Sequence, residues 1–239
     1  MTSHDEMVQA HITAFWSTVA PEYEAHPGNI PARDSAEYGA WVDAIRDVLP
    51  PAPADVLDIA TGTGFVALIA AGLGHRVTGI DLSSAMLDEA RAEADRRGLE
   101  VTFEINDAVE PDFAPASFDA IISRHFIWTL REPGRALGNW LRLLRPGGRV
   151  VAIDGFWFNR ATDGDAADDA PGLFEQHYTK ETRAALPAMQ MTAVGPIVAM
   201  FEQAGFDRVM VSDLETVHVL ADSPPGIQPW YVVTACRPD

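Results

Sequence analysis

The chain has 239 residues, 47% of them hydrophobic, which suits a single globular unit with a full core. A formal net charge of -18 disfavours nucleic acid and anionic membranes as partners, because such a surface repels phosphate groups at long range. The lone cysteine, Cys236, excludes an internal disulfide and a cysteine-cluster zinc site. The acidic start is unlike a signal peptide, and no apolar run reaches the roughly 18 residues that span a bilayer. We therefore expect a cytoplasmic protein without a bound metal.

The first third of the chain predicts helices followed by a change of pattern. Residues 11–49 have a helical pattern with aromatic side chains, and Pro50, Pro51 and Pro53 end it. After this break, short apolar runs alternate with helical segments. We predict strands at 55–60, 76–80, 101–105, 118–123 and 149–154, and helices at 65–73, 83–97 and 133–144. This alternation predicts a parallel sheet with helices on both faces.

The last third departs from that alternation. Residues 155–192 have no strand–helix rhythm, which is typical of an inserted lid or substrate-binding segment. A helix is predicted at 193–204 and two final strands at 209–220 and 230–236. Their link is too short for a helical crossover, so this pair should be antiparallel.

The predicted fold class is therefore α/β. We expect a doubly wound, seven-stranded, mostly parallel, Rossmann-like sheet with one antiparallel C-terminal strand. Residues 1–49 form an N-terminal helical cap in this interpretation, and residues 50–239 form the main domain, which carries the inserted segment.

A glycine turn follows the first predicted strand and opens a helix. Gly62, Gly64 and Ala67 fit the pattern G-x-G-x-x-A, and Asp81 ends the next strand. The same pattern is the fingerprint of dinucleotide sites. The turn alone therefore does not choose between NAD and S-adenosylmethionine (SAM).

Asp58, inside the first strand, favours a cationic ligand. It precedes Gly62 by four positions, so its carboxylate should lie near the mouth of the turn. A pyrophosphate there would meet a like charge in a site of low dielectric, whereas an ammonium or sulfonium would be attracted. Asp81 suits either cofactor, since a carboxylate accepts from two ribose hydroxyls. Purely structural roles stay open: a backbone partner for Asp58 and a helix N-cap for Asp81.

Five segments in order resemble the class I SAM-dependent methyltransferases, in their small-molecule branch. They are Val56–Gly64, Gly79–Leu87, Asn106–Ala108, Phe118–Ser123 and Leu144–Gly148. Each is short, but all five at this spacing are specific. The family's base-amino and glutamine methyltransferases carry an Asn-Pro-Pro-Tyr-like motif after the fourth strand, and residues 123–130 depart from it.

The resemblance implies SAM as the cofactor and a set of residues around it. Asp58 and the glycines would hold the methionine moiety, and Asp81 the ribose hydroxyls. Asp107 would accept from the adenine amino group, Met86 would lie against the ring, and Tyr23 would fold over the cofactor, although packing explains these last two equally simply. The implied cofactor-binding residues are Tyr23, Asp58, Ala60, Thr61, Gly62, Gly64, Asp81, Leu82, Met86, Asn106, Asp107, Ala108, Ser123 and Arg124.

Methyl transfer is an in-line displacement, and a hydroxyl or ammonium acceptor must also lose a proton. His125 follows the fourth strand, where ligand clefts form, and is the first candidate for a base or a substrate contact. His177 and Tyr178 are further catalytic candidates. The candidate substrate-binding residues are the aromatic side chains Trp128, Trp157, Phe158 and Phe174.

We expect a small-molecule acceptor, methylated on oxygen or nitrogen, and a monomer or homodimer. Three alternatives stay open at this point: an NAD-dependent oxidoreductase, a SAM-binding protein without enzymatic activity, and a methyltransferase that acts on a macromolecule.

Overall fold

A computed structural model describes residues 3–24, 29–156, 172–221 and 230–239. Its seven strands form one sheet in the order β3-β2-β1-β4-β5-β7-β6, in which β7 alone runs antiparallel to its neighbours. The strands are β1 (Asp55–Ile59), β2 (Arg76–Asp81), β3 (Thr102–Ile105), β4 (Phe118–Arg124), β5 (Leu144–Asp154), β6 (Asp207–Asp213) and β7 (Tyr231–Cys236). The predicted fold class is confirmed.

Helices cover both faces of this sheet. They are α1 (Ser3–Val19), α2 (Ala36–Val48), α3 (Phe65–Gly72), α4 (Ser84–Arg97), α5 (Pro133–Leu143), α6 (Leu173–His177), α7 (Lys180–Ala184), α8 (Val194–Gln203) and α9 (Glu215–Leu220). Short 3-10 turns lie at Ala20–Glu22, Ile127–Thr129 and Pro187–Gln190. Within the described ranges, no helix is both long and apolar enough to cross a membrane.

Two apolar cores explain why the sheet is covered on both sides. On one face, Trp41 of α2 packs with Val56 of β1 and with α3. On the other, Trp140 of α5 and Phe201 of α8 pack against Leu57. Central strands of a parallel sheet are buried on both faces, so β1 consists of consecutive buried residues rather than an alternating pattern.

The ends of α4 follow the predicted signals. Ser83 precedes the helix, and its hydroxyl accepts a hydrogen bond from the backbone N–H of Met86 at 3.2 Å. Gly98 ends the helix with φ 62°, a left-handed conformation that glycine adopts without steric cost.

The predicted strand at 209–220 is wrong in its second half. The chain leaves the sheet at Asp213 and forms α9 instead. Leu214 and Val217 are three residues apart, and both bury their side chains in the same core, which fits helical rather than strand periodicity. The antiparallel pairing of β6 with β7 is confirmed.

Two other expected segments also differ. Strand β5 begins at Leu144 rather than 149, because a register shift against β4 accommodates the Arg-Pro-Gly-Gly turn. Part of the predicted inserted segment, residues 157–171, lies outside the described residues. The rest contains α6, α7 and the 3-10 turn before residue 191.

The N-terminal residues contribute in two separate ways. Trp41 and Ile45 of α2 are fully buried in the core of the sheet. Helix α1 packs elsewhere, with Val8 and Ile12 in a small cluster that includes Trp128 and Tyr178. Only α1 reaches the cavity described next, so among the N-terminal helices it is α1 that bears on function.

Candidate active site

A cavity that opens to solvent lies at the carboxyl ends of β1, β2 and β4. In open α/β sheets, ligands bind in this crevice, where the strand order reverses. The predicted cofactor residues that line it are Tyr23, Asp58, Ala60, Thr61, Gly62, Asp81, Leu82, Met86, Asn106, Asp107, Ala108 and Arg124. Gly64 and Ser123 lie behind this lining.

Asp58 is a buried acid at the bottom of the cavity, 1% exposed. Its Oδ2 accepts from the Thr61 hydroxyl at 2.6 Å and from the backbone N–H of Ala67 at 3.0 Å, in the first turn of α3. Burial raises the pKa of this carboxyl to about 7, although both hydrogen bonds oppose the rise. Across the described ranges, no Lys or Arg nitrogen lies within 4.0 Å of Asp58, so a cationic ligand would be its natural partner.

Asp81 is held in place by the backbone of two turns. Its Oδ2 accepts from the N–H of Gly62 at 3.1 Å, and its Oδ1 accepts from the N–H of Ser83 at 2.9 Å. Burial raises the pKa of Asp81, and these N–H groups oppose the rise. The carboxylate thus has a structural role and a fixed direction, and it still lines the cavity.

The glycine turn is shaped by steric demands. Gly64 has φ 85°, and a Cβ there would lie 3.1 Å from Ala90 Cβ and 3.2 Å from Phe103 Cζ. Gly62 has φ 55° with no atom within 4 Å of a built Cβ, because it borders the cavity. The first glycine therefore leaves room for a ligand, and the second lets α3 pack closely on α4 and β3.

Two residues beside the cavity have a positive φ, a backbone conformation that residues other than glycine rarely adopt. Ala60 has φ 54° at the end of β1, and His125 has φ 55° at the end of β4. Such conformations cost about 1–3 kcal/mol each and concentrate at functional sites. Their position at adjacent strand ends marks this edge of the sheet as the functional one.

His125 lines the cavity, and its ring packs 5.1 Å from the ring of Trp230. Burial, with a smaller effect from the charge of Arg124, lowers the pKa of His125 well below its usual value. The imidazole is therefore neutral at pH 7, the form that accepts a proton.

Arg124 interacts electrostatically with Asp58 but makes no ion pair with it within 4.0 Å. Its guanidinium lies 4.4 Å from the ring centroid of Phe65 and 5.1 Å from that of Trp41, and it donates to the carbonyl oxygen of Asn29 at 3.2 Å. The Asn29 amide in turn donates to the carbonyl oxygen of Tyr23. Arg124 thus anchors the chain around Tyr23.

The other predicted catalytic candidates lie outside the cavity lining. The Tyr178 hydroxyl accepts from Trp16 Nε1 at 3.1 Å and hydrogen-bonds with the Thr129 hydroxyl at 2.8 Å, and burial raises the pKa of Tyr178. His177 is half-buried against Phe15. The geometry gives both a packing position rather than access to a reacting atom.

The two predicted substrate residues that the structure describes, Trp128 and Phe174, are not among the residues that line the cavity. Phe174 stacks on Tyr178, with ring centroids 4.5 Å apart. Trp128 is buried and donates from Nε1 to the carbonyl oxygen of His125 at 2.8 Å. Trp157 and Phe158 lie outside the described residues.

Sequence reasoning missed one side of the cavity. Helix α1 lines it with Gln9, Ile12, Thr13 and Trp16, a set we call the α1 wall. Their spacing is that of one helix face, a signal that predicts burial but not what the face is buried against. Arg131, just after β4, is a second missed lining residue. No group of His, Cys, Asp or Glu side chains suited to hold a metal occurs in the described residues.

Comparison with known proteins identifies the family. A family model described as a methyltransferase domain matches residues 57–152. Demethylmenaquinone methyltransferase from Thermus thermophilus is 39% identical over 113 residues, which cover 46% of this chain and 51% of that protein. The Renibacterium salmoninarum demethylmenaquinone methyltransferase is 30% identical over 182 residues, 74% of this chain and 68% of that protein.

Among solved structures, the Haemonchus contortus phosphoethanolamine N-methyltransferase 2 in complex with SAM has a TM-score of 0.66 at 19% identity. The match covers 93% of this chain and 57% of that one. At this identity the likeness concerns the fold.

The fold and the acid-lined cavity define an α/β enzyme for a nucleoside cofactor with a cationic group. The chain belongs to the class I SAM-dependent methyltransferases. The family and the named relatives support SAM-dependent methyl transfer rather than an NAD-dependent reaction. The residues present fit SAM, because Asp58 is a buried carboxyl in the cavity lining that makes no ion pair within 4.0 Å among the described side chains.

Proposed function

We propose that this enzyme methylates a small molecule on oxygen or nitrogen, with the cofactor in the cavity described above. The observation that carries the proposal is the placement of three carboxylates, Asp58, Asp81 and Asp107, along one lining. Asp58 lies near the end of β1, Asp81 ends β2, and Asp107 follows the end of β3. Carboxylates at the ends of three parallel strands suit a ligand that lies across those ends.

Each acid has a separate task in this proposal. Asp58 faces the ammonium of the methionine moiety, Asp81 accepts from the ribose hydroxyls, and Asp107 accepts from the adenine amino group. SAM supplies a methyl group that its sulfonium already activates. The protein therefore contributes mainly orientation and exclusion of water around the reacting atoms.

The remaining lining supports a largely apolar acceptor. The α1 wall contributes Ile12 and Trp16, and the segment after β4 contributes Phe126 and Leu130. Apolar walls with few polar groups are typical of small-molecule sites. A net charge of -18 argues against a nucleic acid as the substrate.

His125 is the residue we propose to accept the proton of the acceptor. It lines the cavity at the end of β4, and its position is what supports this role. Burial disfavours its charged form and lowers its pKa, so His125 is neutral at pH 7 but is a weaker base than an exposed histidine. A hydroxyl or ammonium that loses its proton becomes a stronger nucleophile toward the methyl carbon.

A ring carbon is the second candidate acceptor atom, and the named relatives favour it. Two of them are demethylmenaquinone methyltransferases. A quinol that gives a hydroxyl proton to His125 would concentrate electron density on the neighbouring ring carbon. That carbon would bond to the methyl group as the carbon–sulfur bond of SAM breaks and S-adenosylhomocysteine leaves. Loss of the ring C–H proton to solvent, with return of the hydroxyl proton from His125, would restore the aromatic quinol.

Incubation with SAM carrying a trideuterated methyl group tests the proposal. The acceptor panel contains a phenol, an amine and a reduced naphthoquinone, and mass spectrometry locates the label. We expect one acceptor class to be labelled and His125→Gln to suppress that labelling. Labelling of protein or nucleic acid alone would overturn the small-molecule proposal.

A further inference from the structure

Arg131 is a buried cation that the proposed roles leave unused. Its side chain is 4% exposed and lines the cavity just before α5 begins. A buried guanidinium is stable only when carboxylates or other acceptors surround it. The groups that accept hydrogen bonds from Arg131 therefore indicate which parts of the site this side chain positions.

Arg131 donates hydrogen bonds to side chains of three different segments. Nη2 donates to Asp107 Oδ2 at 3.1 Å, Nη1 donates to Glu132 Oε1 at 3.1 Å, and Nε donates to Gln9 Oε1 at 2.6 Å. Gln9 belongs to the α1 wall, and Asp107 belongs to the loop after β3. The planar fork of an arginine can serve such separate acceptors at once.

The Asp107 carboxylate is fixed on both oxygens. Oδ1 accepts from the backbone N–H of Val109 at 2.8 Å, and Oδ2 receives Arg131. The loop around it is also fixed by α5, since Asn139 donates to the carbonyl oxygen of Val109 and Trp140 to that of Ala108. The carboxylate therefore has one orientation, with the guanidinium of Arg131 against one of its oxygens.

We propose that Arg131 is a positioning residue that sets the nucleobase specificity of the cofactor site. An Asp107 carboxylate held in one orientation presents only acceptor atoms, so it accepts from an amino group and repels a carbonyl oxygen at the same place. Arg131 holds this orientation, and Gln9 ties the same guanidinium to α1. The inference rests on the proposed function, in which Asp107 faces the adenine amino group.

The test compares two ligands by calorimetric titration. S-adenosylhomocysteine carries the adenine amino group, and S-inosylhomocysteine has a carbonyl oxygen in its place. The wild type should prefer the adenosyl ligand by about 100-fold, the strength of a hydrogen bond to a charged group. In R131M this preference should fall at least tenfold, because Asp107 can turn or take up a proton and donate to the carbonyl.

Arg135, four residues after Arg131 and in the first turn of α5, offers a matched control. Arg135 on α5 is partly exposed and pairs with Glu110 and Glu132 but not with Asp107 among the described contacts. R135M should keep the full preference. In D107N the preference should collapse, and the double variant R131M/D107N should show no further loss, because both changes remove one shared interaction.

The outcomes separate the two levels of the proposal. If the wild type binds neither ligand, the proposed cofactor site fails. If it binds the adenosyl ligand with preference and R131M retains that preference, the role of Arg131 is contradicted and the site stands. Should R131M fail to fold by circular dichroism, R131K replaces it. Lysine keeps the charge but lacks the fork, so the preference should still fall at least threefold, and an unchanged preference would contradict the inference.

Discussion

Two walls of the cavity are built on different principles. We call Asp58, Ala60, Gly62 and Asp81 the strand-end wall, in which backbone N–H groups hold the carboxylates. The α1 wall is held by side-chain contacts between distant segments, such as Arg131 Nε with Gln9 Oε1 at 2.6 Å and Trp16 Nε1 with the Tyr178 hydroxyl at 3.1 Å. The first wall is determined by local sequence and strand geometry. The second forms only after α1 docks.

This difference predicts where substitutions act. Changes in the strand-end wall should damage ligand binding or chemistry directly, because its atoms have fixed directions. Changes in the α1 wall should be milder, since each side-chain contact is one of several that hold the helix. The following substitutions test this division.

The largest expected effect is on catalysis, from His125→Gln. If His125 accepts the proton of the acceptor, its loss should lower kcat by about 10²–10⁴-fold. The KM for SAM should change little, because His125 is not among the residues that we propose to hold the cofactor. Steady-state kinetics, with the acceptor that the labelling experiment identifies, measures kcat and the KM for SAM. A tenfold or smaller loss in kcat would reduce His125 to a substrate contact.

The next effect concerns the glycine turn. Gly64→Ala adds a Cβ within 3.2 Å of two side chains at φ 85°, so it should destabilise the protein by about 2–3 kcal/mol. Gly138→Ala on α5 is the control, because nothing lies within 4 Å of its Cβ. That change should be neutral or stabilise the helix by up to about 1 kcal/mol. Urea unfolding measures the free energy of unfolding of both variants. Equal free energies for Gly64→Ala and Gly138→Ala would contradict the prediction.

The smallest effect is expected on the α1 wall. Trp16→Phe removes the hydrogen bond to the Tyr178 hydroxyl, worth about 1 kcal/mol, while Thr129 still pairs with that hydroxyl. The melting temperature should drop by a few degrees, and SAM affinity should change less than threefold. A loss of affinity larger than that of Asp58→Asn would break the division between the two walls.

The strand-end wall was also the part that the sequence could predict. Asp58, Gly62 and Asp81 occupy fixed positions in one strand–helix–strand unit, β1-α3-β2, so their proximity follows from local structure. The seven-stranded sheet was predictable for the same reason, since each strand and helix has its own period. Strand 209–220 failed where Leu214 and Val217 follow helical periodicity within an apolar run.

The α1 wall was not predictable, because nothing local links its partners. Gln9 and Arg131 are 122 positions apart, and Trp16 and Tyr178 are 162 apart. A helix face predicts burial without naming the surface that covers it. Aromatic side chains such as Trp128 and Phe174 were expected in a substrate pocket, yet they pack α1 and α6 together.

The buried charge of Asp58 also predicts a conflict between stability and binding. Its pKa in the folded protein is about 7, above the ordinary 3.8, so folding favours the protonated form. The associated stability is full at low pH and is lost as pH rises toward 7. Asp58→Asn should therefore raise the melting temperature of the ligand-free protein at pH 8 while it weakens SAM binding.

The most direct test is the pH dependence of SAM affinity in the wild type and in Asp58→Asn. A cation binds the ionised carboxylate, so lowering the pH through about 7 should weaken binding. We expect about tenfold tighter binding at pH 7.5 than at pH 6 in the wild type, and weaker, nearly pH-independent binding in the variant. Equal affinities for the two proteins, with the same pH profile, would contradict a cofactor site built around this anion.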